Sequence, residues 1–400
     1  MGVIVIGAGL SGLAAARTLQ RAGREVTVLE QSPEIGGRVK TTEIDGYRID
    51  QGFQVLLTAY QEAAEIWPED EMDLFPFAAG AVIHGHQTKR VFDPLRHPTT
   101  LWATLRSGLC NFHDVKGLLG LRLGLRGIRG LPTKTNDEKA PDFLKRLGFS
   151  DQFMNAFFRP FLGGVFLDES LAVPADAVRF VMAMFARGEA ALPAQGMAEL
   201  PTHLAKGLTI ECNCKVINVE PKMITLEDGS SRFTEAVVDT RPPDSMNWRS
   251  TEMMAFRSPP PVDMTPVLHL ADLNDRPDSP VLHACAPSLV APGYAPPGQG
   301  ILYATLRTDR KAAHVSEVQE TLAAWFEIPQ KEIEHLTTIS VRHALPNSPC
   351  QSTQRPRDRG IYRSGDWMTH ASIEGALRSG RIAAEAVLHD LDADQFSAAS

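Results

Sequence analysis

The 400-residue sequence predicts an α/β fold (α+β overall), with one domain built on a parallel sheet and a second domain of helices and a mixed sheet. Three observations support this. The apolar run Val3–Ile6 leads directly into a glycine-rich turn and a helix, as a strand buried on both faces of a parallel sheet does. Another strand ends in Gly365-Asp366 ahead of a last helix. The length also exceeds what one simple core usually holds, which favours two domains.

Composition excludes several functional classes. A hydrophobic share of 43% with 22% charged residues is typical of a globular protein, and a net charge of −8 argues against nucleic-acid binding. No apolar run reaches the roughly 18 to 20 residues of a membrane span, and a strand starting at Val3 leaves no room for a signal peptide before it. Scattered cysteines without Cys-x-x-Cys spacing predict neither disulfides nor a zinc site. We therefore expect a cytoplasmic protein.

The turn after the first strand carries the spacing Gly-x-Gly-x-x-Gly. Gly7 allows the tight turn, Gly9 lacks the Cβ that would block a pyrophosphate, and Gly12 lets helix and strand pack closely. The following helix, expected over 13–22, presents free N–H groups to phosphates, and Ser11 belongs to this turn. These residues predict a Rossmann-like dinucleotide site.

Glu30 follows the second strand, expected over 25–29, and stands eighteen residues after Gly12. A carboxylate there accepts hydrogen bonds from ribose hydroxyls and repels a 2′-phosphate, so NADP is disfavoured. Strand, glycines, helix, strand and acid arrive in the order that the site requires, but they do not distinguish FAD from NAD.

The next stretch, Gln31-Ser32-Pro33-Glu34-Ile35-Gly36-Gly37-Arg38, continues into a polar strand and Asp50-Gln51-Gly52-Phe53. This pattern resembles the flavin amine oxidase superfamily, which includes phytoene-desaturase-like and protoporphyrinogen-oxidase-like enzymes. The resemblance implies noncovalent FAD, with Arg38 as a cationic clamp on the pyrophosphate, a role that suits a guanidinium. It also places Gln31, Gly37, Gly52 and Phe53 in the site.

The resemblance returns near the other end of the sequence. It implies that Asp366, after Gly365, holds the ribityl-diphosphate region and that the last helix, opening near Ile373, points its positive end at the flavin. A weaker match is a strand expected over 210–217, where the backbone of Val216 would contact the adenine.

These motifs divide the chain into five segments. Residues 1–60, 195–245 and 345–400 form the predicted Rossmann-like FAD domain. Residues 61–194 supply a substrate domain with a hairpin over 78–92, whose turn at His84-Gly85-His86 we expect to be solvated, and helices over 101–192. Residues 246–344 supply its sheet.

Residues 115–130 allow two interpretations. Arg122, Arg126 and Arg129 share one helical face beside leucines, and glycines form a third stripe. Such a helix lies in a membrane interface or is a core helix with a charged exterior. Both interpretations stay open.

The sequence indicates the reaction only at the level of its class. Flavin oxidation needs no obligatory nucleophile or metal, and none is predicted; catalytic residues are unassigned, with His343 and His370 as candidate proton carriers. Amine oxidases of the family carry an aromatic ring where this chain has Ser372. We therefore expect oxidation of an apolar small molecule, with oxygen or a quinone-type acceptor. The alternatives are an amine oxidase that releases hydrogen peroxide and a non-redox flavin-dependent isomerase.

Overall fold

A computed structural model describes residues 2–68, 72–92, 108–130, 137–308, 313–347, 356–358 and 360–399. The expected fold class is confirmed: separate stretches of the chain build a Rossmann-like parallel sheet, and a larger mixed sheet and a group of helices lie beside it. The exact domain boundaries stay a prediction.

The described strands are β1 Val3–Ile6, β2 Val26–Leu29, β3 Thr41–Ile44, β4 Tyr47–Asp50, β5 Leu56–Leu57, β6 Leu74–Pro76, β7 Gly80–His84, β8 Thr88–Phe92, β9 Ala190–Pro193, β10 Thr209–Glu211, β11 Val216–Glu220, β12 Met223–Leu226, β13 Ser231–Phe233, β14 Ala236–Asp239, β15 Trp248–Ser258, β16 Leu268–Ala271, β17 Val281–Cys285, β18 Gly300–Leu306, β19 Glu334–Pro346, β20 Arg357–Asp358 and β21 Ile361–Arg363. The described α-helices are α1 Leu10–Arg21, α2 Gln61–Ile66, α3 Phe112–Gly124, α4 Ala140–Arg146, α5 Asp151–Phe153, α6 Arg159–Phe166, α7 Ala175–Arg187, α8 Glu199–Ala205, α9 Pro287–Val290, α10 Val315–Phe326 and α11 Ile373–Ala399. A π-helical stretch, Met154–Phe158, joins α5 to α6.

The six-stranded sheet has the order β10-β2-β1-β14-β21-β20. The first five strands run parallel, and β20 pairs antiparallel at the edge. Its strands come from residues 3–29, 209–239 and 357–363, so the sheet is built from three separate stretches of the chain. Val3 and Val5 are almost fully buried, as a central strand covered on both faces requires.

Helix α1 follows β1 as expected but begins at Leu10, three residues earlier than the sequence suggested. It ends where Gly23 adopts a positive φ of 78°, with Gly23 N donating to Gln20 O and Arg24 N donating to Leu19 O. This is a Schellman motif, which satisfies the last carbonyls of the helix. Helix α11 packs across α1, where Gly380 approaches the backbone of Ser11 so closely that a Cβ would lie 2.2 Å from its oxygen.

The expectation of one strand over 210–217 was wrong. Strand β10 ends at Glu211, and β11 begins at Val216 in a separate antiparallel sheet, β11-β12-β13. Asn213, with φ 56°, turns the chain between the two sheets. Asparagine tolerates this left-handed conformation better than most residues, so a single residue ends the strand.

A seven-stranded mixed sheet has the order β19-β15-β18-β17-β16-β7-β8. The predicted hairpin is present as β7 and β8, but the solvated turn was wrong for His84. That residue ends β7, pairs with Ala271 in the parallel strand β16, and is buried. Its ring stacks on Trp325 with centroids 4.6 Å apart, and its Nε2 lies 2.9 Å from His269 Nδ1. A stacking partner from α10 therefore covers the end of the strand.

The described residues between 108 and 187 are largely helical, as expected. Helix α3 covers Phe112–Gly124 rather than 115–130, and Asn111 and Asp114 form a capping box at its start. The glycine stripe is used only in part. A Cβ at Gly117 would lie 3.1 Å from the carbonyl oxygen of Leu147, whereas Gly124 faces open space. Within the ranges described above, no helix combines the length and apolar composition that a membrane crossing requires.

Candidate cofactor-binding site

The glycine turn lies at the carboxyl end of β1, and each glycine meets a different constraint. Gly7 has a φ of 99°. A Cβ at Gly12 would lie 1.9 Å from the carbonyl oxygen of Gly7, so helix and turn touch there. A Cβ at Gly9 would meet nothing within 4 Å, and no side chain caps the helix that begins after it. Open space, uncapped N–H groups and the helix dipole together suit a diphosphate.

Glu30 lies beside this turn and is buried. Its Oε2 accepts a hydrogen bond of 2.7 Å from Ala8 N, and its Oε1 accepts one of 2.9 Å from Ser32 N. These two bonds hold the carboxylate at the end of β2. A carboxylate has about four acceptor positions, so two stay free for ribose hydroxyls. Gln31, next along the chain, is exposed.

The Gly36-Gly37 turn packs on the first glycine turn. Gly36 N donates to Ala8 O over 2.8 Å, and a Cβ at Gly37 would lie 3.3 Å from the Cα of Gly9. Both glycines have positive φ, at 106° and 61°. A side chain at either position would strain the backbone, so glycine is needed where these turns meet.

Arg38 joins this turn to the distant Asp366. Its Nη2 donates to Asp366 Oδ1 over 2.6 Å, and its Nη1 donates to Ala344 O over 2.9 Å. The guanidinium also lies over the ring of Trp248, 5.4 Å from the centroid. Burial lowers the pKa of Arg38, but the adjacent Asp366 carboxylate outweighs it and the net shift is upward. Two residues that the sequence placed at the diphosphate therefore lie in direct contact.

The N-terminal and C-terminal parts of the chain also meet where the hydroxyl groups of Ser11 and Ser364 form a buried hydrogen bond. Gly365 follows with a φ of 149°, and its N–H donates to Ser379 Oγ over 3.0 Å. A Cβ on Gly365 would lie 2.1 Å from Trp367 Nε1. Residues 364 and 365, just before Asp366, are thus hydrogen-bonded to α1 and α11.

Ile373 is the first residue of α11, as expected, and is half-buried. Ser372 precedes it, and its Oγ accepts from Gly375 N over 2.9 Å. The residue that stands where amine oxidases carry a ring is therefore a helix cap here. Of the two nearby rings, Tyr362 donates its hydroxyl to Asp390 over 2.7 Å, and Trp367 is buried beside Gly365.

The two candidate histidines differ. His343 is exposed beside Trp248, with ring centroids 5.3 Å apart. His370 is buried and meets Phe180 edge-on at 4.9 Å, and its Nε2 has no partner among the described residues. Burial, with the positive charge of Arg378, lowers the pKa of His370 to about 3. His370 is therefore neutral at physiological pH and cannot supply a proton as an acid there.

Val216 lies beside the carboxyl ends of β1 and β2. Its side chain packs in a small cluster with Ile6 and Leu29, and its carbonyl accepts from Arg241 Nη1 over 2.9 Å. The structure brings it close to Glu30 in this way, although the carbonyl already has a donor.

Gly52 and Phe53 follow β4 and have different surroundings. Gly52 has a φ of 86° and faces Thr251. Phe53 meets Phe77 at 6.0 Å and His283 at 5.5 Å between ring centroids; we call these three rings the aromatic wall. Burial lowers the pKa of His283 to about 4, so the wall carries no charge at neutral pH.

Asp50, just before them, is buried and receives three hydrogen bonds. Thr41 Oγ1 and Met197 N donate to Oδ1 over 2.6 and 3.0 Å, and Tyr294 Oη donates to Oδ2 over 2.6 Å. Burial raises the pKa of Asp50 to about 6, against these three donors, which lower it. The carboxyl therefore connects β3, β4, the start of α8 and the turn before β18.

Sequence reasoning missed Asp239 and Ser364. Asp239 ends β14, is buried, and accepts from Arg363 Nη1 over 2.7 Å. Ser364 follows β21 and bonds Ser11. Asp239 is the last residue of one parallel strand and Ser364 directly follows the neighbouring one, and that position could have identified them, because the carboxyl ends of such strands converge. Among the described residues no cluster of three or more His, Cys, Asp or Glu side chains could hold a metal ion.

Comparison with known proteins finds matches along most of the chain. The family model described as "Flavin containing amine oxidoreductase" matches residues 10–388. The 15-cis-phytoene desaturase of an Oncidium hybrid cultivar is 24% identical, over 98% of this chain and 78% of that protein. The phytoene dehydrogenase of Streptomyces griseus is 56% identical over 54 residues, which are 14% of this chain and 11% of that protein. Several other curated relatives likewise match over about a tenth of their own length.

Solved structures share the fold along nearly the whole chain. Cyclohexylamine oxidase from Brevibacterium oxydans superposes with a TM-score of 0.70 at 16% identity, covering 98% of this chain and 99% of that one. Identity at this level shows a common fold alone.

Proposed function

This chain belongs to the flavin-containing amine oxidoreductase family, whose cofactor FAD it uses, and from that premise we propose that it oxidises an apolar small molecule by hydride transfer. FAD, when bound, accepts a hydride from a substrate C–H bond. We propose oxygen or a quinone-type oxidant as the electron acceptor.

The residues proposed to hold FAD are those of the site described above. Gly7, Gly9, Gly12 and Ser11 would surround the diphosphate at the helix N-terminus, and Glu30 would accept from the ribose. Arg38 and Asp366, paired across the site, would fix the diphosphate and ribityl region, and the backbone of Val216 would contact the adenine. The open space in front of Gly9 supports this assignment.

The uncharged aromatic wall carries the proposal for the substrate. Phe53 comes directly after the predicted cofactor residue Gly52, and its described ring neighbours are Phe77 and a neutral His283. An ammonium substrate would need a carboxylate or an aromatic pair to replace its hydration. Ser372 caps a helix, so no aromatic ring stands at the position where amine oxidases of the family carry one. A hydrocarbon skeleton suits this wall better.

The test is anaerobic reduction of the bound flavin. Polyenes, porphyrinogens and terpenoids should bleach the flavin absorbance, whereas a panel of primary and secondary amines should not. Bleaching by amines alone would establish an amine oxidase. Conversion of an apolar substrate without bleaching would establish a non-redox isomerase. Either result contradicts the proposal.

A variant at the wall sharpens the test. Phe53→Ala should slow flavin reduction by an apolar substrate about 10- to 100-fold, because the ring supplies contact area worth about 1.5 to 3 kcal/mol. Phe233→Ala is the matched control, since Phe233 is 68% exposed in the separate β11-β12-β13 sheet. Equal rates in both variants would remove Phe53 from the substrate site.

A further inference from the structure

Helix α3 exposes a row of apolar side chains. Phe112, Leu119 and Leu123 are 80%, 61% and 49% exposed. With Lys116 they are spaced by four, three and four residues, so they lie along one face of the helix, about 16 Å long. We call this row the outer stripe. Exposed apolar side chains grouped in this way, here with one lysine among them, mark a candidate interaction site.

The opposite face of the helix anchors it to the protein. Leu121 is buried, and Gly117 packs on Leu147 and Phe149. Asp114 is fully buried, and its carboxylate accepts from Ser150 N over 2.7 Å and from Ser150 Oγ over 3.0 Å. The helix therefore cannot rotate to bury the outer stripe without breaking these contacts.

The segment that carries the stripe is basic. Lys116, Arg126 and Arg129 are exposed, and Arg122 is half-buried. The one acidic residue between 108 and 130, Asp114, is internal and saturated with hydrogen bonds, so it does not offset them at the surface. This local excess of positive charge contrasts with the net charge of −8 of the whole chain.

From this combination we propose that the outer stripe docks on the surface of an anionic lipid bilayer. Phe112, Leu119 and Leu123 enter the boundary between headgroups and acyl chains, and the basic residues meet anionic headgroups, as in interfacial amphipathic helices. A symmetric contact between two copies through this face would instead bring the basic residues of one copy close to those of the other, and like charges oppose that. The proposal does not depend on the identity of the substrate.

Vesicle co-sedimentation of the intact holoprotein tests this without substrate, so its outcome is separate from that of the oxidation assays. Binding to vesicles of phosphatidylcholine with phosphatidylglycerol should exceed binding to phosphatidylcholine alone at least tenfold and should weaken with added salt. Phe112→Ser, Leu119→Ser and Leu123→Ser combined should reduce binding to the anionic vesicles at least tenfold. Lys116→Gln with Arg126→Gln should abolish the preference for anionic lipid.

Phe233→Ser with Val262→Ser is the matched control, because these residues are 68% and 71% exposed elsewhere on the surface. The control should bind like the wild type, and retained flavin with an unchanged circular dichroism spectrum shows that each variant is folded. Equal vesicle binding by the stripe variant and the control would overturn the proposal. So would a dimer in solution that the stripe variant alone dissociates, because the stripe would then be an interface between copies.

Discussion

The side chain of Arg38 makes several different contacts in this site. It forms an ion pair with Asp366, donates to the backbone at Ala344 and lies over Trp248, so residues far apart in sequence meet on one guanidinium. A planar group with five donors can hold these contacts and still direct an N–H at a phosphate, which an ammonium cannot do with the same geometry.

We expect Arg38→Ala and Glu30→Ala each to weaken FAD binding at least tenfold, because each removes a charged or hydrogen-bonding partner of the cofactor. The measurement is the ratio of flavin to protein after purification, followed by titration of the apoprotein with FAD. Arg257→Ala is the matched control, since Arg257 pairs with Glu334 on the seven-stranded sheet. Full flavin occupancy in both site variants would contradict our placement of FAD.

At this scale the sequence predicted the tight turn at Gly7 and the close packing at Gly12, because a single turn imposes both constraints. The contact of these glycines and of Glu30 with FAD stays a prediction. The sequence could not predict that Arg38 contacts Asp366, since that contact depends on where β21 joins the sheet. It also could not assign His84, whose burial depends on the ring of Trp325 from a distant helix.

Among the elements, helix α2 has an unusual N-terminus. Its cap residue, Tyr60, offers no side-chain hydrogen bond, and the buried carboxylate of Glu374 from α11 takes that place. Oε1 accepts from Gln61 N over 3.1 Å and Oε2 accepts from Glu62 N over 3.1 Å. Burial raises the pKa of this carboxyl, against the backbone donors that lower it. Helix α11 thus caps the N-terminus of α2, which lies more than 300 residues earlier in the chain.

Glu374→Ala should lower the free energy of unfolding by about 1 to 3 kcal/mol, because it leaves N–H groups of α2 without an acceptor. Urea denaturation measures this. Glu385→Ala is the control: that residue forms an exposed pair with Arg381 four positions away, and its loss should cost less than about 1 kcal/mol. If both variants lose the same stability, Glu374 is not a cap.

The local sequence pattern predicted helices and strands, but it did not predict the residues at which they end. The alternation over 210–217 continues through Asn213, so the sequence pattern does not show that residues 212–215 lead the chain from one sheet to another. In α3 two apolar rows alternate around the helix, and periodicity cannot tell which one faces the core. The hydrogen bonds from Ser150 to Asp114 and the contact of Gly117 with the ring of Phe149 decide it.

Asp50 links distant parts of the chain through its hydrogen bonds. Its partners come from β3, from the turn before α8 and from the segment before β18. Its pKa is raised from 3.8 to about 6 in the folded protein. The folded state therefore holds the proton more tightly than the unfolded chain. This group favours folding below about pH 4, and that contribution is lost as the pH rises through about 6.

Asp50→Asn removes this titration. Relative to the wild type, the free energy of unfolding of the variant should rise by about 3 kcal/mol between about pH 4 and about pH 7, because only the wild type loses the contribution. Urea unfolding over a pH series measures the difference, with Asp142→Asn, at an exposed residue of α4, as a control. Parallel profiles for Asp50→Asn and wild type would show that this carboxyl does not titrate in the window.

The strand order of the parallel sheet also determines when its strands can pair during translation. Strand β1 pairs with β2 on one side and with β14 on the other, and β14 leaves the ribosome about 230 residues after β1. At roughly 5 to 20 residues per second, an apolar strand keeps one edge unpaired for about 10 to 50 s. An exposed edge of this kind is prone to pair with other chains. Nascent molecules therefore pass through a long aggregation-prone interval, and chaperone capture during translation should govern the yield of this protein more than its final stability does.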